Sequence, residues 1–233
     1  MGLPKIDLPI FEGVLPSSGE TFKYRQYTVK EEKILLVAQE SKETGAEILA
    51  MKQVVNNCLL DREIEDLAMF DLEYVHLVLR SKSVDNTMNF SVTDPDTEEK
   101  IELELDVENV KMSSTEGHTK EIKINDDFVL FLKYPTIDAF VKITQMDSQD
   151  PLINYFVMIS CLDKIASEDE VYNFKDYTEE EIDDFMNNLN SQVIAQIQQF
   201  FETMPRLRHE LKYVNKNGDK KTFVIEGLRT FFI

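Results

Sequence analysis

The apolar residues of this 233-residue chain change their spacing repeatedly along its length, so neither a pure helical bundle nor a pure β-fold can bury them all. Between Thr28 and Ser83 they recur at helical intervals, as in Ile48, Met51, Val54, Val55, Cys58 and Leu59. From Asp85 the interval becomes two: Met88, Phe90 and Val92 lead into a turn, and Ile101, Leu103, Leu105 and Val107 then alternate with Glu102, Glu104 and Asp106. Helical spacing returns after Pro135 and gives way near the end to a second alternating stretch. The pattern predicts an α+β fold: an N-terminal β-hairpin plus helices, a central β-rich unit, and C-terminal helices ending in a β-hairpin.

Local signals sharpen this outline. Leu8 to Val14 and Thr21 to Tyr27 flank the turn Pro16-Ser17-Ser18-Gly19 and read as a hairpin. Thr28 with Glu31, and Thr178 with Glu181, have the spacing of capping boxes, and Thr44 to Glu47 follows the same logic. Asp71 is placed to cap a third helix, so residues 1–83 read as ββααα. Asp94-Pro95-Asp96-Thr97 reads as a solvated acidic turn. A helix is expected from Pro151 to Ile165, apolar almost all round and central to the core, followed by an acidic helix over 179–190. Asn215-Lys216-Asn217-Gly218 marks a tight turn between two final strands. Three divisions follow, 1–84, 85–134 and 135–233, which can share one core.

Chemistry is harder to find. The chain has no GxxxxGK[ST], GxGxxG, GxSxG or HExxH, so phosphate-cradling glycines, a nucleophile elbow and a two-histidine zinc helix are all missing from the sequence. His76, His118 and His209 stand far apart, without companions at metal-ligand spacing. Cys58 and Cys161 lie in apolar patterns and are expected as buried thiols. No catalytic residue, cofactor or metal site is assigned, and the expectation is a protein that is not an enzyme. With 44 acidic and 25 basic residues the net charge is −19, a field that repels nucleic acid and anionic membrane. No apolar run is long enough to span a bilayer and Met1 to Glu12 lacks the order of a signal peptide, so a cytoplasmic protein is expected. Phe231, Phe232 and Ile233 form an apolar C-terminus that either docks on its own domain or binds a partner.

The stretch Leu3 to Pro9, then Tyr24-Arg25 with Val29 to Leu36, Met51-Lys52-Gln53, Asn57-Cys58, Phe70 to Tyr74 and Leu79 to Val84 resembles baseplate proteins of T-even-type contractile-tailed bacteriophages. Similarity continues more weakly through Tyr134-Pro135-Thr136 to Leu211–Phe232. The resemblance implies a protein that binds phage baseplate and hub subunits and promotes their assembly as a chaperone or assembly factor. It also admits a structural component retained in the virion tail baseplate. Some members of the family carry cysteine pairs suited to a zinc ribbon in the hairpin corresponding to Asn89 to Val107. This chain has no cysteine there, so the hairpin is expected to rely on its Pro95 turn and strand pairing. A third reading, an acidic nucleic-acid mimic that occupies a host protein, rests on net charge alone.

Overall fold

The computed structural model describes residues 7–41, 45–62, 64, 67–146 and 152–227. The first elements are β1 (Ile10–Val14), β2 (Thr21–Arg25), α1 (Val29–Glu40), α2 (Ala46–Cys58) and α3 (Met69–Ser83). Five strands follow: β3 (Thr87–Thr93), β4 (Lys100–Asp106), β5 (Lys111–Met112), β6 (Glu121–Lys123) and β7 (Val129–Leu132). Next come α4 (Ile137–Gln145), α5 (Ile153–Ser160), β8 (Leu162–Ala166) and β9 (Val171–Asn173). The last are α6 (Glu179–Asn187), α7 (Ser191–Thr203), β10 (Leu207–Val214) and β11 (Lys220–Glu226). The fold is α+β, with a hairpin near each end of the described chain. Residues 1–113 and 206–233 form one compact unit, and 114–205 another.

In the first unit β1 and β2 pair antiparallel, Phe11 opposite Tyr24 with rings 5.5 Å apart. Gly13 faces Phe22, and a Cβ there would lie 2.5 Å from Phe22 Cζ; the missing side chain is what lets the Phe22 ring bury completely. Thr28 and Glu31 form the expected capping box and start α1. Glu31 does more than cap. Its side chain is fully buried and receives the Arg25 guanidinium at 3.0 Å, while Arg25 also donates to the Asn57 carbonyl at 2.9 Å. One ion pair thus ties β2 to the starts and ends of α1 and α2. The apolar stripe of α2 buries Val54, Val55 and Cys58, and α3 buries Leu72, Val75 and Leu79, each fully buried leucine contributing about 2 kcal/mol of transfer free energy.

Two expectations for these helices change. Asp71 is not the cap of α3: the helix begins two residues earlier, after Ala68, and Asp71 is buried with Oδ1 accepting the Ser17 amide at 3.0 Å. Its carboxylate serves the turn of the first hairpin instead. Gly45 stands at the N-cap of α2 with φ 84° and no side-chain cap, and Thr44 lies outside the described residues.

The second core of this unit joins α3, β3, β4, β10 and β11 through Leu77, Met88, Leu105, Leu207 and Ile225. β10 stands between β11 and β5, and β3 pairs with β4 from Thr87–Asp106 to Thr93–Lys100. The turn of this last hairpin overturns another expectation, for Asp94 is buried rather than solvated. Its Oδ1 accepts the Thr97 amide and hydroxyl, both at 2.9 Å, and its Oδ2 accepts the Tyr213 hydroxyl at 2.9 Å. Lys216 Nζ donates to the Thr97 carbonyl at 2.8 Å, and Lys221 pairs with Asp96. The β3–β4 turn is therefore clasped to the β10–β11 hairpin and does not stand on Pro95 and strand pairing alone.

The second unit is a four-stranded antiparallel sheet in the order β6-β7-β8-β9. Its core gathers Ile122, Leu130, Leu132, Leu162, Met186, Val193, Ile197 and Phe200 from the sheet, α6 and α7. Thr178 and Glu181 form the second capping box, and the Asn190 side chain accepts the Val193 amide to start α7. The expected helix over 151–165 stops at Ser160. Leu162 and Ile165 instead pair with Leu132 and Leu130 of β7, because a strand position satisfies both their side chains and their backbone groups against the sheet. Nor is α5 central: none of its residues is fully buried, and Phe156 is 44% exposed.

Candidate functional site

The histidines are structural. His76 in α3 is buried, and burial, with the positive charge of Arg80 adding, lowers its pKa to about 4. His118 lies 2.9 Å from Thr203 Oγ1 and 3.1 Å from the Tyr134 hydroxyl, and stacks on Tyr134 at 5.6 Å. Thr203 gives its own proton to the Gln199 carbonyl, so Nδ1 of His118 donates to Thr203 and Nε2 accepts from Tyr134. Burial, then the charge of Lys120, keeps this neutral ring's pKa below its ordinary value. His209 sits in β10 with Nδ1 3.2 Å from the Asn109 carbonyl.

Cys58 and Cys161 are both buried, and burial pushes each thiol up to about 11, far from the range of a nucleophile. Among the described residues no group of three His, Cys, Asp or Glu side chains is placed to hold a metal ion. No helix among them is long and apolar enough to cross a membrane. Phe231, Phe232 and Ile233 lie outside the described residues.

One surface feature of the second unit goes beyond packing. Between β8, the edge strand β9 and α6 runs a groove of about 350 Å³ lined by Ile165, Tyr172, Phe174, Tyr177, Ile182 and Phe185. The local sequence builds it directly. Alternation in β9 sends Tyr172 to pair with Ile165, a short helical turn carries Phe174 into the core, and Tyr177 precedes the capped start of α6. Ile182 and Phe185 fall on one face of α6 at a spacing of three, and the Phe185 ring lies 5.4 Å from Phe174. Tyr177 stays 42% exposed at the mouth. This groove was legible only in retrospect: the apolar pair on an otherwise acidic helix was its one signal.

Two carboxylates are placed at the groove itself: Glu181 also lines it, and Glu170 accepts the hydroxyl of Tyr172. From Asp163 to Asp184 the chain carries ten Asp and Glu against Lys164 and Lys175, and Glu168, Asp169, Glu170, Glu179 and Glu180 are all exposed. Elsewhere in the unit Tyr155 of α5 donates its hydroxyl to Asp183 at 2.7 Å. The second unit as a whole has 18 acidic residues, 6 lysines and no arginine, and so bears −12 of the chain's −19. The chain's negative charge is thus concentrated in this unit.

The family comparison gives the setting in which this surface stands. A family model described as T4 bacteriophage base plate protein matches residues 9–233. The chain belongs to that family. The match spans both hairpins and both compact units, including the stretch 114–205 that carries the groove. No curated protein matches the chain significantly, and no solved structure does. Membership gives the protein a role in the phage base plate, and base plate proteins as the setting of its partners.

Proposed function

We propose that the protein is a non-enzymatic assembly factor of the phage tail, which binds subunits of the baseplate hub and promotes hub and baseplate assembly in the host cytoplasm. The observation that carries the reading is the family match over residues 9–233. Its fit with the molecule is physical. A strongly acidic chain with an apolar groove can cover a sticky surface on an unassembled subunit while staying soluble itself, since its own copies repel one another. Phe231, Phe232 and Ile233 belong to this reading as a further partner contact. A component retained in the finished baseplate is the second reading, favoured by the family's description as a base plate protein.

The test is co-expression of the tagged chain with each hub and baseplate subunit of the same phage, followed by capture in low and high salt and mass spectrometry of purified virions. Capture of a hub subunit together with absence from virions is the expected result. Stoichiometric presence in virions would replace the assembly factor with the structural component, and capture of no tail subunit would sink both.

A further inference from the structure

We infer that the groove between β8, β9 and α6 is a docking site for a basic segment of a partner protein, one that anchors large apolar side chains on Phe174 and Phe185 and sets Lys or Arg among the surrounding carboxylates. The inference deepens the assembly reading, on which it rests for the existence of a protein partner, by specifying the partner's chemistry. The apolar part comes from the groove itself. Its volume of about 350 Å³ is of the size that takes side chains or a small ligand, ~300–1,000 Å³, and aromatic rings floor it. Tyr177, 42% exposed, carries the apolar surface out to the mouth.

Charge decides the class of occupant. Nucleic acid, phosphorylated ligands and anionic lipid surfaces are repelled by the ten acids of residues 163–184, the stretch of chain that supplies most of the groove's lining. A second copy of this unit, itself at −12, is repelled as well. A purely apolar peptide gains nothing from the rim. A segment with apolar anchors and flanking cations gains in both places, its anchors supplying affinity while long-range attraction speeds encounter. Glu181 is already engaged by the Thr178 amide and hydroxyl, at 2.8 and 2.9 Å, and Glu170 by the Tyr172 hydroxyl, so the exposed carboxylates open to a partner are Glu179 at the start of α6 and Glu168 and Asp169 in the turn before β9.

The probe is a synthetic 14-mer with Leu at helical spacing and Lys elsewhere, with a counterpart in which Glu replaces every Lys, each titrated into the ¹⁵N-labelled full chain. Saturable binding of the Lys peptide is expected, with shift changes centred on Ile165, Tyr172, Phe174 and Phe185, and no binding of the Glu peptide. Tyr177→Ser, at an exposed position that leaves the core intact, should weaken the Lys peptide about tenfold, and Glu179→Lys several-fold. Shift changes spread evenly over the acidic surface, or equal affinity for Tyr177→Ser and the parent, would reduce the effect to diffuse electrostatics and overturn the inference. Capture of hub subunits separates the two readings. Hub capture unaffected by Tyr177→Ser leaves the assembly role standing and removes the groove from it, whereas peptide binding at the groove with no hub capture removes the assembly role alone.

Discussion

The Tyr213 hydroxyl donates to the Asp94 carboxylate at 2.9 Å across 119 residues of chain, and so joins the turn of one hairpin to the strand of another. Burial works to raise the pKa of Asp94, but the hydrogen bonds from Tyr213, Thr97 and Asp96 outweigh it and hold the carboxyl below its ordinary value. The charged form is therefore the one the fold selects. Asp94→Ala should lower the thermal midpoint clearly more than Asp96→Ala, whose ion pair with Lys221 lies at the surface and is worth little. Melting followed by circular dichroism decides it, and equal midpoints would mean that the clasp does not stabilise the hairpins.

The fully buried Glu31 forms an ion pair with the partly buried Arg25. Against the burial that would raise it, hydrogen bonds from Arg25 and Thr28 bring the Glu31 pKa down to about 2 from an ordinary 4.5. The unfolded chain thus binds a proton that the folded chain refuses, and the pair's stabilisation is full above pH 4.5 and is lost as pH falls towards 2. Glu31→Gln should cost about 3 kcal/mol at neutral pH, because Arg25 keeps its charge without its partner. Urea midpoints at pH 7, 4 and 2.5 should converge between variant and parent as the pH drops.

His76 opens an earlier acid-sensitive window. Its pKa falls from 6.5 to about 4 on folding, so protonation favours the unfolded chain, and stability drops as pH falls from 6.5 to 4. The full span corresponds to about 3 kcal/mol. His76→Asn should flatten stability across this interval while leaving the Glu31 window below it in place, as read from urea midpoints at pH 7, 5.5 and 4.5.

Cys58 and Cys161 should be silent in the native protein. With both buried and their pKa values pushed up to about 11, Ellman's reagent at pH 8 should label neither until denaturant is added, when both react. Rapid native labelling of either would contradict the packing of α2 or of the turn after α5.

Removal of Phe231, Phe232 and Ile233 tests the apolar C-terminus. If these residues bind a partner, the shortened chain melts as the parent does and captures its tail subunit about tenfold more weakly. A lowered melting midpoint with capture unchanged would instead mean that they pack on their own domain.

What the sequence determined by itself is local. The capping boxes at Thr28–Glu31 and Thr178–Glu181, the turn at Asn215–Gly218 and the alternation of Ile101 to Val107 all appear as their spacing requires, since each depends on residues within a turn or strand of one another. Gly218, at φ 85°, supplies the left-handed position that the turn needs. Even the ββααα order of the first 83 residues follows from such short-range signals. The tertiary structure decided what spacing cannot express. The apolar run after Leu152 suits a helix or a strand equally well, and only the presence of β7 turns Leu162 to Ala166 into β8. Asp71 and Asp94 look like a cap and a solvated turn until Ser17 and Tyr213 arrive from distant parts of the chain to share their charge. The groove follows the same rule: Tyr172, Phe174, Ile182 and Phe185 satisfy local periods one by one, and a shared apolar surface within the acid exists only once α6 folds against β8 and β9.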